Sequence, residues 1–318
     1  MPSTDTKPEH FVTLFDNNFL PMGMALHHSL MQHAQPFHLW IVCMDELVEK
    51  HLSKISLPNV TLLPLREIEN DDLKRVKASR TKGEYCWTMT PFTPQAVFEK
   101  DKSVEKVTYL DADLFFFDSP QVLLQELIDS GKHVLITEHA YALEYDRSTT
   151  SGRFCVQFMT FCNTDEAQKV MNWWQDKCIE WCYNRSEDGK FGDQKYLDIW
   201  PEKFKDEVHV SRQTHKTLAP WNVSFFAKNE NGDLKPVFYH FHSFRIISSK
   251  RCQLYYGYVI GKKGFKLYKY YINAIRIMRK ILLKNNIDIS ILPNIKEKYA
   301  ILRYIKRRCH GIIRYAKI

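Results

Sequence analysis

Six apolar runs constrain the fold of this chain more than any other feature. They occupy residues 10–15, 38–44, 60–64, 107–110, 133–137 and 154–161. Several are unbroken rather than alternating, which suits strands covered on both faces. Stretches with helical spacing lie between them, for example residues 24–33 and 94–100. Strands interleaved with helices predict an α/β fold built on a mainly parallel, mixed sheet flanked by helices. At 318 residues the chain has room for one such domain plus an appendage.

Residues 165–182 carry the clearest helical signal. Ala167, Val170, Met171, Trp174, Cys178, Trp181 and Cys182 fall in steps of one, three and four, so they share a face. Asn163 or Thr164 is placed to cap the start, and Glu166 is spaced for a capping box with Asn163. The eight cysteines form no C-x-x-C pair, which argues against a structural zinc site and for reduced thiols in a cytosol. No uncharged apolar stretch reaches 18 residues, and the first residues lack a secretory pattern.

Charge is unevenly spread. Residues 257–318 hold 16 of the 45 Lys and Arg but two of the 37 acids, a local excess of +14; against a chain total of +8 this leaves residues 1–256 at −6. Within this tail, "FKLYKYYINAIRIMRKILLKNN" and "KYAILRYIKRRCHGIIRYAKI" mix basic, aromatic and aliphatic residues at helical spacing. The division expected is a body of residues 1–250 and a basic, amphipathic, helical region of residues 251–318. Such a tail suits an anionic membrane surface. Its bland alternative is an extension that packs its apolar face on the body. No nucleic-acid motif accompanies the charge, so nucleic acid is not an expected partner.

The chemistry is concentrated in "VTYLDADLFFFDSP", residues 107–120. Asp111 and Asp113 follow an apolar strand and precede three phenylalanines. Two like charges in such surroundings need compensation, and a cation is the simplest form of it. Alternate residues of an extended segment point the same way, so both carboxylates reach one ion. Open α/β sheets bind ligands beyond the carboxyl ends of their strands. Oxygen ligands suit Mg²⁺ or Mn²⁺, ions that bridge carboxylates to a diphosphate.

In that setting "YLDADLFFFDSP" resembles the metal-binding segment of GT-A-fold glycosyltransferases, those of family 8 in particular. Four further stretches follow the expected order: "FVTLFDNNF", "GRFCVQFMTFCN", "GDQKYLDIWP" and "VFYHFHSFR". The resemblance spans roughly residues 10–246 and implies a Rossmann-like GT-A domain. It implies nucleotide contacts from Thr13, Asp16, Asn18 and Asp111. It implies metal ligation by Asp111, Asp113 and His240, with His242 as the competing histidine. Arg245 falls where the family has a cation facing the diphosphate, and Asp193 and Gln194 match a pair lining the donor-sugar pocket. Trp221 is either core or a wall of the acceptor site.

The implied activity is metal-dependent transfer, with retention, from a nucleotide sugar such as a UDP-sugar to a glycan or polyprenyl-linked acceptor. Surface polysaccharide or lipopolysaccharide synthesis on the inner face of the cytoplasmic membrane is the expected setting. The chain departs from the family pattern at Cys155-Val156-Gln157, at Lys195 and at Ser243, positions that bear on donor-sugar identity. Two competing readings are a nucleotidyltransferase and a non-catalytic sugar- or lipid-binding protein with a degenerate site. The first lacks its glycine-rich basic loop after "FVTLF", and the second is at odds with an intact set of acids and histidines.

Overall fold

The structure is a computed structural model that describes residues 7–287, 308, 311 and 313–318. In chain order, β1 (Glu9–Phe15) leads through a 3₁₀ turn (Asn17–Phe19) into α1 (Leu20–His33), followed by β2 (Phe37–Cys43), α2 (Glu46–Ile55) and β3 (Val60–Pro64). Next come α3 (Lys82–Met89), α4 (Thr93–Lys100), β4 (Lys106–Leu110), β5 (Leu114–Phe116), α5 (Gln121–Ser130), β6 (Val134–Glu138), β7 (Phe154–Cys162) and α6 (Asp165–Glu180). The remainder holds β8 (Val208–Val210), β9 (Thr217–Leu218), β10 (Phe238–His240), β11 (Arg245–Ser248), β12 (Arg251–Tyr256), α7 (Gly261–Lys284) and β13 (Ile313–Lys317).

Seven strands form the main sheet in the order β3-β2-β1-β4-β7-β6-β8. Four neighbouring pairs are parallel, while β7 runs antiparallel to β4 and β6. The six apolar runs are its first six strands in sequence, each within a residue or two of its expected bounds. They are unbroken because both faces of the sheet are covered. Along β1, Phe11 and Phe15 join one core while Val12 and Leu14 join the other. Side chains alternate across a strand, so one apolar run feeds two cores.

The alternation slips once, in β7. Phe154 and Val156 face one core, Cys155 and Phe158 the other. The ladder to β6 shifts register there, so the β7 residues between Cys155 and Thr160 include an irregularity of the bulge type. Bulges re-aim side chains, and this one lies beside Asp111, whose N–H donates to the Gln157 carbonyl.

Of the two candidate caps of α6 the structure takes Thr164, whose hydroxyl accepts from the Ala167 N–H; two other expectations, the capping box and the second tail helix, are corrected. Asn163 instead donates its side-chain amide to the Val104 carbonyl, so no capping box forms with Glu166. In the tail, the first helical stretch forms α7, but Ile313–Lys317 pairs with β12 as a strand. The paired edge of β12 supplies backbone partners that outweigh the weak helical spacing there. The rest of the second expected helix lies outside the described residues apart from residues 308, 311 and 318.

The 24-residue α7 buries Leu267, Tyr268, Tyr271, Ile275, Met278 and Leu282 in the same core as Phe11 and Leu26. Tyr271 stacks on Phe241 at 3.8 Å, and Tyr268 meets Tyr239 edge-on at 5.5 Å. Each such side chain is worth about 1.5–3 kcal/mol on burial. The hairpin of β11 and β12 crosses residue 250, so body and tail share one continuous interior. Among the described residues, no helix is long and apolar enough to cross a membrane.

Candidate active site

The chain changes sheets between Leu110 and Leu114. β4 belongs to the main sheet, whereas β5 pairs with β10 in a second sheet of order β5-β10-β9. Asp111 and Asp113 lie in that crossing, tied by the Leu114 N–H to the Asp111 carbonyl and the Phe241 N–H to the Asp113 carbonyl. Because β10 runs antiparallel to β5, its last residue, His240, arrives opposite Leu114. Residues 127 positions apart thereby form one cluster.

His240 Nε2 lies 3.0 Å from Asp113 Oδ1 and 3.7 Å from Asp111 Oδ2. The other ring nitrogen, Nδ1, is 2.8 Å from Gln157 Oε1. An amide oxygen only accepts, so Nδ1 carries the hydrogen and Nε2 is turned to the carboxylates. One atom from each of Asp111, Asp113 and His240 falls within 4.8 Å of the others, spacing that a single ion can bridge. The donors fit a divalent cation: two carboxylate oxygens and an imidazole nitrogen that an incoming ion can take over from its proton, the far nitrogen being held by a second residue. Asp111 keeps 22% of its side chain exposed against 11% for Asp113 and 7% for His240, so the cluster opens to solvent on the Asp111 side.

The electrostatics follow from this crowding. Burial opposes the charge on Asp113, but His240 outweighs it and holds the carboxyl below its ordinary range. Burial raises Asp111, and Asp113 adds to the rise while His240 works against it. His240 is pushed up despite its burial, chiefly by Asp113.

Asp193 joins from the other core. It is 3% exposed, its Oδ2 has no hydrogen-bond partner, and burial followed by the nearby Asp111 pushes it up to about 8. Trp174 Nε1 donates to its backbone carbonyl at 2.8 Å, so α6 fixes its height. The preceding Gly192 has φ +53 and faces the Trp87 ring, where a Cβ would come within 3.3 Å. Gln194 turns its amide to the Ser151 carbonyl at 2.7 Å. Arg245 places its guanidinium 5.2 Å from the Phe19 ring centroid, and its charge reaches Asp113.

The residues expected at the nucleotide end of β1 are local. Asp16 caps the 3₁₀ turn, accepting from the Asn18 N–H at 3.0 Å and from the Asn18 amide at 2.7 Å. Asp45, at the end of neighbouring β2, ties in the same turn through the Asn17 N–H. Thr13 is fully buried with its hydroxyl unpartnered. His242 is exposed and stands 5.8 Å from His240 ring to ring, outside the triad. Trp221 is buried edge-on to both histidines and donates to the His139 carbonyl. Sequence reasoning missed the orienting role of Gln157 and the hydroxyl of Tyr109, which donates to Asp111 Oδ1 at 3.0 Å. Tyr109 was findable, since it stands two residues before Asp111 on the same strand face. Gln157 was not, because the irregularity in β7 breaks the alternation.

The glycosyl transferase family 8 profile matches residues 10–241, almost three-quarters of the chain. The chain belongs to glycosyl transferase family 8. Two Bacillus subtilis (strain 168) proteins support this: uncharacterized protein YfnD is 32% identical over 263 residues, covering 79% of this chain and 83% of YfnD. Uncharacterized protein YfnF is also 32% identical, over 251 residues, covering 75% of this chain and 82% of YfnF. Among solved structures, the glycosyltransferase GlyE of Streptococcus pneumoniae TIGR4 has a TM-score of 0.52 at 13% identity, over 90% of this chain and 67% of that one. The galactosyltransferase LgtC with donor and acceptor sugar analogs has a TM-score of 0.50 at 12% identity, over 90% and 98%. At such identities the likeness is one of fold, the GT-A fold. Family 8 membership makes the chain a glycosyltransferase that takes a nucleotide-sugar donor and a glycan acceptor. The family usually employs a divalent metal, and the Asp111-Asp113-His240 cluster is a possible site for one.

Proposed function

We propose that the chain transfers a sugar, with retention of configuration, from a UDP-sugar to a glycan or polyprenyl-linked acceptor, in surface polysaccharide or lipopolysaccharide synthesis. The observation that carries the metal-dependent reading is the Asp111-Asp113-His240 triad at a strand end, with His240 already oriented by Gln157. In this reading Asp111, Asp113 and His240 hold Mn²⁺ or Mg²⁺. Such an ion would neutralise charge on a departing diphosphate.

The protein's own groups divide the remaining work. Gln157 keeps a hydrogen on Nδ1, so Nε2 is the nitrogen that gives up its proton when an ion binds. Arg245 supplies a charge-assisted hydrogen bond to a phosphate oxygen. Asp16, Asn18 and Asp111 contact the base and ribose, and Thr13, fully buried on β1, backs the nucleotide end of that strand. Asp193 and Gln194 line the donor-sugar pocket. Burial holds Asp193 uncharged until a positive neighbour arrives. A sugar centre that gains positive charge during transfer is such a neighbour, so the interaction strengthens in the transition state. The nucleophile is the acceptor hydroxyl, whose proton passes to the leaving phosphate oxygen, so no strong protein base is required. The machinery falls within residues 1–250, and residues 251–318 act as packing and as a docking device for an anionic membrane.

A thermal-shift panel tests the reading. UDP-, GDP-, CMP- and dTDP-sugars are each added with Mn²⁺, Mg²⁺ or EDTA, and stabilisation grows as RT ln(1 + [L]/Kd). Stabilisation by UDP-sugars that needs the metal and vanishes in Asp113→Ala is expected. Full donor turnover by Asp113→Ala in excess EDTA would sink the metal assignment.

A further inference from the structure

The structure contains an open cavity of about 980 Å³ between α1, β5 and the segment after it, residues 233–236 and α7, lined by none of the triad residues. Its lining is two-sided. Phe117, Tyr270 and Ile277 supply an apolar wall, and four lysines, Lys235, Lys263, Lys266 and Lys269, supply charge. Two of the lysines are occupied. Lys263 donates to the carbonyls of Ala227 and Glu230, and Lys266 pairs with Asp233 at 2.5 Å. Lys235 and Lys269 are exposed and have no ion-pair partner among the described residues. The acids of the lining, Asp118 and Asp233, leave it at +2 with its histidines neutral. Burial lowers His28 and His33, which keeps them neutral at pH 7.

The cavity opens towards the solvent face of α7, where Tyr270 is 65% exposed and Ile277 36%, with Lys280 and Lys284 exposed further along the same helix. A free inorganic anion has no use for an apolar wall that runs out to solvent. An amphiphile uses both parts: its phosphate meets Lys235 and Lys269, and its chain follows Tyr270 and Ile277.

We propose that this cavity seats the phosphate headgroup of an anionic membrane lipid and that the solvent face of α7 lies along the bilayer surface. The proposal rests on the reading of the C-terminal region as a membrane-docking device and names where docking occurs.

Vesicle co-sedimentation tests it, with phosphatidylcholine alone and with added phosphatidylglycerol. A basic residue at an anionic surface is worth about fivefold in partition, so Lys235→Gln with Lys269→Gln weakens binding to anionic vesicles about 25-fold. Tyr270→Ser weakens it with the same salt dependence as the wild type. All three positions are exposed, and an unchanged melting midpoint shows that the variants fold. Equal binding by wild type and the double lysine variant overturns the cavity assignment while leaving membrane docking in place. No binding by the wild type overturns both. Displacement by sodium phosphate beyond that by sodium chloride of equal ionic strength assigns the lysines to a free phosphate and overturns the lipid.

Discussion

Gln157 decides what His240 can do. With Nδ1–H donated to the amide oxygen, the imidazole presents Nε2 to Asp113 and Asp111. Gln157→Leu keeps the volume and removes the acceptor. Loss of such an outer partner typically costs 10–100-fold in metal affinity. A Mn²⁺ titration of the two proteins, read by thermal shift, should show that loss; equal affinities would mean that packing alone orients the ring. His139 makes a separate prediction about pH. It is buried against Trp221 and Tyr141, and burial brings it down to about 3 from an ordinary 6.5. Above 6.5 both folded and unfolded chains hold it neutral, and its cost is nil. As pH falls from 6.5 towards about 3, the unfolded chain takes up a proton that the folded one refuses, so stability declines by at most about 1.4 kcal/mol per pH unit. The melting midpoint of His139→Gln should therefore gain on the wild type between pH 6.5 and 4. A constant gap between the two would refute the assignment.

Between β10 and β11 the chain turns through Ser243, which has φ 66. This is the position where the family pattern has glycine, and the departure has a physical cost. A left-handed residue with a Cβ costs about 1–2 kcal/mol, of which glycine returns part as lost chain entropy. Ser243→Gly should raise unfolding stability by about 0.5–1 kcal/mol in urea titration. A loss would mean that the Ser243 side chain earns its place through a contact. Elements with one dominant signal were readable from the sequence: β1, β2, β4 and β7 as apolar runs, and α6 from its buried stripe. The ends were less so. Thr164 rather than Asn163 caps α6 because Asn163 is drawn to Val104, 59 residues away. β13 reads as a helix because its partner β12 lies outside any local window. The two aspartates were evident because residue spacing sets them on one side. Gln157 was hidden by the irregularity in β7, and the choice between His240 and His242 depended on the antiparallel register of β10 with β5.

At the scale of the molecule, the tail that stands out by charge is part of the interior. α7 places Tyr268, Tyr271 and Ile275 in the same core as β1 and α1. The machinery we place in residues 1–250 therefore depends on a later helix for its support. Ending the chain after Tyr256 should leave a protein without a cooperative melting transition, since six large side chains lose their seats at about 1.5–3 kcal/mol each, a loss comparable to a typical domain's total stability of about 5–15 kcal/mol. A soluble truncated form that melts cooperatively would show that the body stands alone.

The crossing of the chain from one sheet to the other also sets a timetable for synthesis. Asp111 leaves the ribosome 129 residues before His240. At about 5–20 residues per second, roughly 6–26 s pass between them. Throughout that interval the nascent chain carries its paired acids without the histidine that completes their site. Tyr268 and Tyr271, which pack beneath β10, emerge later still. In the proposed reading, the ion site is therefore complete only once β10 and the helix that packs beneath it have both emerged.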